Sequence, residues 1–205
     1  MGDLFGSALS DGMADRYLEE GDTSFHKKHN PGGKVKTALT AGLNGDAAFS
    51  QCGRYRRILR RWTGEIFPER HILLCGMNPS TASGEHNDPT ITREWGFTVR
   101  EGYSAFVKVN ISDYRATHPK ELMKPGIVPV SPENLGVILN AAAEADKVVM
   151  CFGRVNRALE DAARQTVAAL RDAGIFMWCF GTNKDGSPKH PLYLASDTPL
   201  IPFEQ

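Results

Sequence analysis

HILLCGM, residues 71–77, is an apolar run that closes on Gly76-Met77 and passes directly into Asn78-Pro79-Ser80. Seven residues suit a strand better than a helix. The lack of polar alternation is what a strand covered on both faces requires. Three more runs of this kind follow: Ala105–Ile111 (AFVKVNI), Lys147–Phe152 (KVVMCF) and Ile175–Phe180 (IFMWCF). Helical patterns separate the later ones. Ser131-Pro132-Glu133 has the form of an N-cap with proline at the first helical position, opening a helix over Leu135–Ala145. Val155, Leu159, Ala162, Thr166 and Leu170 keep three-to-four spacing up to Gly174, a C-cap position. Strand, crossover and strand, repeated, predict an α/β domain with a mostly parallel sheet.

Outward from this core the chain changes character. Residues 1–50 carry many glycines and little periodicity, which predicts a loosely ordered N-terminal arm with at most a short helix around Ala14–Glu20. Residues 51–205 are then the single α/β domain. Between them lies Arg54-Tyr55-Arg56-Arg57-Ile58-Leu59-Arg60-Arg61-Trp62, whose pattern suits either a helical face or an edge strand. It is a concentrated positive stretch in a chain whose 24 Lys and Arg balance 24 Asp and Glu. That balance gives no global basic charge for nucleic acid. The acidic, glycine-broken N-terminus does not read as a secretory signal, and no apolar run is long enough to span a bilayer. Cys52, Cys75, Cys151 and Cys179 form no CxxC pair, so neither a disulfide framework nor a zinc site is expected. A cytoplasmic location, no membrane partner and no cofactor are the corresponding expectations.

Polar clusters sit where the strands end, and ligands of open α/β sheets bind beyond the carboxyl ends of strands. The clusters are Gly76-Met77-Asn78-Pro79-Ser80-Thr81-Ala82 with Asn87-Asp88-Pro89-Thr90, Asn110 through Thr117, Phe152-Gly153-Arg154, and Gly181 through Tyr193. Each has a plain structural reading as a turn or cap. Their convergence on one rim describes a binding site.

At these residues the stretch from Tyr55 to Pro202 resembles a bacterial and phage family known as domain of unknown function sixteen forty-three. The carrying residues are Asn78-Pro79-Ser80-Thr81-Ala82, Asp88-Pro89-Thr90, Asn110, Tyr114-Arg115-Ala116-Thr117, Pro132-Glu133-Asn134 and Lys189-His190-Pro191-Leu192. More distantly, the order of motifs is similar to that of the uracil-DNA glycosylase superfamily. Gly76-Met77-Asn78-Pro79 resembles its water-positioning loop, and Asn110 its base-reading asparagine. Phe152-Gly153 resembles its aromatic-glycine pair, and His190-Pro191 its histidine-proline loop. The resemblance implies a three-layer α/β/α sandwich with a central, mostly parallel four-stranded sheet. The sequence departs from that pattern after His190-Pro191, where Leu192-Tyr193 stand in place of a serine and a wedge residue. No stacking aromatic follows the first motif, so Trp95, Phe97 or Tyr103 is expected to supply one.

The chemistry expected on this reading is water attack at the N-glycosidic bond of a modified or non-standard base in DNA. His190 would stabilise the departing base, and Asn110, with a donor and an acceptor, would read an amide-like base edge. Asn78 holds a water but cannot take its proton, so Asp88 is either the general base or a cap for the next turn. Gly76, Met77, Pro79, Ser80, Tyr114, Phe152 and Gly153 complete the expected pocket, with Arg115 and Lys189 either reaching phosphate or forming surface ion pairs. A flipped base in duplex DNA would also need backbone contacts, for which the arginine run is the candidate. The alternatives are a non-catalytic module that binds a modified base or nucleotide, and an enzyme acting on free nucleosides or nucleotides.

Overall fold

A computed structural model describes residues 36–204. The helix expected around Ala14–Glu20 lies outside them. In chain order the elements are β1 (Thr37–Ala38), β2 (Leu43–Phe49), β3 (Arg56–Thr63), β4 (Ile72–Gly76), β5 (His86–Asn87), α1 (Pro89–Arg100), β6 (Ala105–Asn110), α2 (Asn134–Glu144), β7 (Lys147–Met150), α3 (Glu160–Asp172), β8 (Met177–Cys179) and β9 (Ile201–Pro202). The main sheet has seven strands in the order β2-β3-β6-β4-β7-β8-β9, and β1 pairs with β5 separately.

The four apolar runs form β6, β4, β7 and β8, which are neighbours and mutually parallel. The expected four-stranded sheet in a three-layer sandwich is nonetheless overturned. The antiparallel strands β2 and β3 widen one side and β9 the other, giving a seven-stranded mixed sheet with only three α-helices among the described residues. The extra strands were hidden for a physical reason. β3 reads as charged because its arginines find partners only in the folded chain, while β2 contains Asn44-Gly45-Asp46 and β9 is two residues long. β2 also places the start of the sheet at Leu43, inside the stretch expected to be a loose arm.

The arginine run is neither helix nor edge strand, because β2 covers the outer side of β3. Arg56, Arg60 and Arg61 are buried. Arg56 donates to the Ala82 carbonyl at 3.0 Å, and Arg60 pairs with Asp46. Arg61 donates to Asn87 Oδ1 at 2.8 Å and to the Ser83 and His86 carbonyls. Arg57 pairs with Asp113 and, at 3.2 Å, with Glu133. Arg56 and Arg61 therefore tie residues 82–87 to the sheet, while Arg54 is exposed.

The central strands β4 and β6 are buried throughout, and their successive side chains pack alternately against helices on the two faces of the sheet. Leu73 and Cys75 of β4, Val107 and Val109 of β6 and Val148 of β7 pack with Val137, Ile138 and Ala141 of α2 and Val167 and Leu170 of α3. Ile72 and Leu74 of β4, Phe106 of β6 and Val149 of β7 pack with Ile91 and Phe97 of α1. The two helices that leave β4 and β6 thus go to opposite faces, which opens a crevice at the carboxyl ends of those two strands. α2 begins at Asn134 rather than at the Ser131 cap, because Ser131 is held by Asp113. α3 begins at Glu160, later than the apolar spacing suggests, and stops before Gly174, whose φ of +73° ends it. No helix among the described residues is long and apolar enough to cross a membrane.

Candidate functional site

A cleft of about 440 Å³ opens at that crevice. Gly76 at the end of β4 forms its floor beside Lys108 and Asn110 of β6. Met77, Asn78, Ser80 and Thr81 follow from β4, and Asp88, Pro89, Thr90 and Ile91 come from the start of α1. His190, Leu192 and Tyr193 close the opposite wall. Seven of the expected site residues meet here: Gly76, Met77, Asn78, Ser80, Asp88, Asn110 and His190.

Asn110 is 2% exposed, and its Nδ2 is buried with no hydrogen-bond partner among the described residues. Its backbone is fixed from behind, since Asn134 Nδ2 donates to the Asn110 and Ile111 carbonyls at 3.0 Å each. A buried donor left unmade costs the protein about 1–3 kcal/mol. In a cleft, such a donor marks a place for an acceptor brought by a ligand.

His190 is half-buried and accepts a hydrogen bond at Nδ1 from the Leu192 N–H at 3.3 Å. A ring nitrogen that accepts carries no proton, so the neutral ring carries its proton on Nε2. Burial, with the positive Lys108 nearby, lowers the His190 pKa to about 4 against the pull of Asp88. Gly153 backs this residue: its φ is +71°, and a Cβ there would lie 3.1 Å from His190 Cβ. The folded state therefore binds fewer protons at His190 than an unfolded chain, whose histidine titrates near 6.5. Stability is complete above about pH 6.5 and is lost as pH falls through about 4. Burial lowers the His71 pKa too, so both histidines act in this direction. In denaturant titrations between about pH 7 and about pH 4, His190→Gln is expected to lose less stability than the parent. Equal losses would refute the assignment.

Asp88 is the N-cap of α1, its Oδ1 accepting from the Ile91 N–H at 2.9 Å. The cap reading is therefore correct, and it fixes the carboxylate in the cleft wall while Oδ2 accepts no protein hydrogen bond among the described residues. Asn78 Nδ2 donates to the Pro79 carbonyl at 3.0 Å and to Ala116 at 2.6 Å. Its oxygen is the end left for a ligand.

The remaining expected residues do not line the cleft. Pro79 is buried and accepts from the Ala116 N–H at 2.9 Å. Tyr114 stacks edge-on to Tyr55, and Phe152 is in the core. Arg115 donates to the Gly53 carbonyl at 2.9 Å and lies over Phe49, so it is not a phosphate contact. Lys189 is exposed and runs past Gly181. None of the expected stacking aromatics reaches the cleft: Phe97 is core, and Trp95 packs on Phe106. Tyr193, 87% exposed at the mouth, is the aromatic that does.

Sequence reasoning missed Lys108, Glu94, Arg56 and Tyr193. Lys108 Nζ donates to Glu94 Oε1 at 2.5 Å, and the two are 4% and 0% exposed. A signal for Lys108 was present, because a lysine in the middle of AFVKVN has no reason to be there unless it has a buried partner.

A family model described as "Protein of unknown function (DUF1643)" matches residues 54–192. No curated protein and no solved structure matches the chain.

Proposed function

The chain belongs to the DUF1643 family of proteins of unknown function, and from there we propose that its cleft takes the base of a free nucleoside or nucleotide and cleaves the N-glycosidic bond with water. The observation that carries this reading is the buried, unpartnered Asn110 Nδ2 in a cleft that also holds a neutral His190. Asn110 donates to a base carbonyl, and His190 Nε2–H stabilises the negative charge that develops on the leaving base. Asp88, oriented by its cap, takes a proton from a water held by Asn78. The same chemistry on a base in DNA has less electrostatic support, since of the arginine run Arg56, Arg60 and Arg61 are buried and Arg57 is paired with Asp113, leaving Arg54 exposed. A non-catalytic binding module is the second reading, favoured by the structural use of Asp88 as a helix cap.

The test is a mass-spectrometric search for released free base. The protein is incubated with nucleosides, nucleotides and uracil-containing, mismatched and modified DNA, beside an Asn78→Ala/His190→Ala control. Release from the small substrates by the parent alone is the expected result. Release from DNA alone would move the substrate to the polymer. Folded protein that binds a base but releases none would select the module.

A further inference from the structure

The proposed chemistry leaves Lys108, buried at the floor of the cleft, unused. Lys108 Nζ donates to Glu94 Oε1 at 2.5 Å and approaches Cys151 Sγ at 3.8 Å. Glu94 Oε2 is buried with no hydrogen-bond partner among the described residues. Lys108 reaches the cleft because residue 76 has no side chain. A Cβ there would lie 2.5 Å from Lys108 Nζ and 2.8 Å from Asn110 Oδ1.

Stability does not explain this pair. Taking both charges out of water costs several kcal/mol per ion, and apolar replacements of buried pairs are often neutral or stabilising. Burial pushes the Glu94 carboxyl up against the pull of Lys108. Burial also works against the Lys108 charge, but Cys151 and the Glu94 carboxylate beside it raise its pKa overall. The ammonium has three N–H donors, of which Glu94 takes one and the thiol contact occupies another. The third is available to the cleft. Formal charges around the floor cancel, Lys108 and Arg56 against Glu94 and Asp88, with His190 neutral. A neutral group therefore enters without penalty, and negative charge developing on it meets an ammonium at the floor.

Resting on the N-glycosidase reading, we propose that Lys108 is the acid that protonates the departing base, with Glu94 holding its ammonium at the floor of the cleft. The glycosidic bond breaks with its electron pair moving onto the base, and a proton passes from Lys108 Nζ to the base. The water oxygen bonds to the anomeric carbon and its proton goes to Asp88. Transfer of that proton back to Lys108 through solvent restores the protein. Water and N-glycoside become sugar and neutral free base. An ammonium is a weak acid, so its proton moves late, once the base carries its charge.

The test uses Lys108→Met/Glu94→Leu, which removes both charges and keeps both volumes. Base release is measured on two probes, uridine and its ring-fluorinated analogue, whose base leaves more readily. For uridine, kcat is expected to fall about 10²–10⁴-fold, the usual worth of a positioned acid, with KM little changed. The loss on the fluorinated probe should be markedly smaller, because a better leaving group needs less help from an acid. A merely structural role would lower both probes equally, and equal losses or no loss overturn the proposal. If the double variant does not fold, Lys108→Arg keeps the ion pair but cannot give up its proton, so the same two-probe pattern is expected of it. Release by the parent with unaltered variants overturns this assignment alone. No release by the parent overturns the N-glycosidase reading and this one with it.

Discussion

Asp113→Ala is expected to lower the unfolding free energy by about 3–5 kcal/mol, the usual cost of removing one partner of a buried ion pair. Asp113 is fully buried just beyond β6. Its Oδ1 accepts from the Ser131 N–H at 2.9 Å, and its Oδ2 accepts from Ser131 Oγ at 2.5 Å and from Arg57. Without it, the Arg57 guanidinium keeps only Glu133, whose side chain is 63% exposed, as a carboxylate partner. An exposed partner of that kind contributes little. The clamp joins the end of the Asn110 strand to the segment that opens α2, where Asn134 grips the Asn110 and Ile111 carbonyls. The damage should therefore reach the cleft floor. Urea unfolding of Asp113→Ala beside Asp113→Asn, which keeps an acceptor and the shape, measures it. A loss below about 1 kcal/mol in the alanine variant would show that the cluster holds nothing together.

Asn110→Leu should give the opposite pattern. Its Nδ2 has no partner among the described residues, so a side chain of similar size without that donor should leave stability unchanged or raise it by up to about 1–3 kcal/mol. Activity should nevertheless collapse. A preorganised donor to developing charge is worth about 10²–10³-fold in kcat, and the variant offers the ligand a methyl group in its place. Base release and thermal unfolding of the same sample settle the matter. A variant that loses stability and activity together would make Asn110 a structural residue of β6, and one that keeps activity would remove it from the site.

The two residues differ in how far they could be read from the chain. Asn110 was legible because it ends an apolar run, and β-strand periodicity together with strand-end placement locates such a residue without knowledge of its neighbours. By the same route Asn78, Asp88 and His190 were assigned to the rim on which they meet. The cap at Asp88 needed only the Asp-Pro-Thr-Ile order, a local pattern. Asp113 lies in the same kind of segment, yet its role depends on Arg57 and Ser131, 56 and 18 residues away.

The chain alone was enough for the four parallel strands, since continuous apolar runs need nothing but burial on both faces, and for the gathering of polar residues at their ends. Folding was needed for everything that rests on a pair of opposite charges. An arginine in β3 looks the same in sequence whether it faces solvent, phosphate or Asp46, and Lys108 gives no hint of Glu94 until α1 packs on β6. Periodicity records which side of a strand leaves water. It carries no record of which distant group repays the cost of burying a charge, because that repayment is made across space between residues the chain keeps apart.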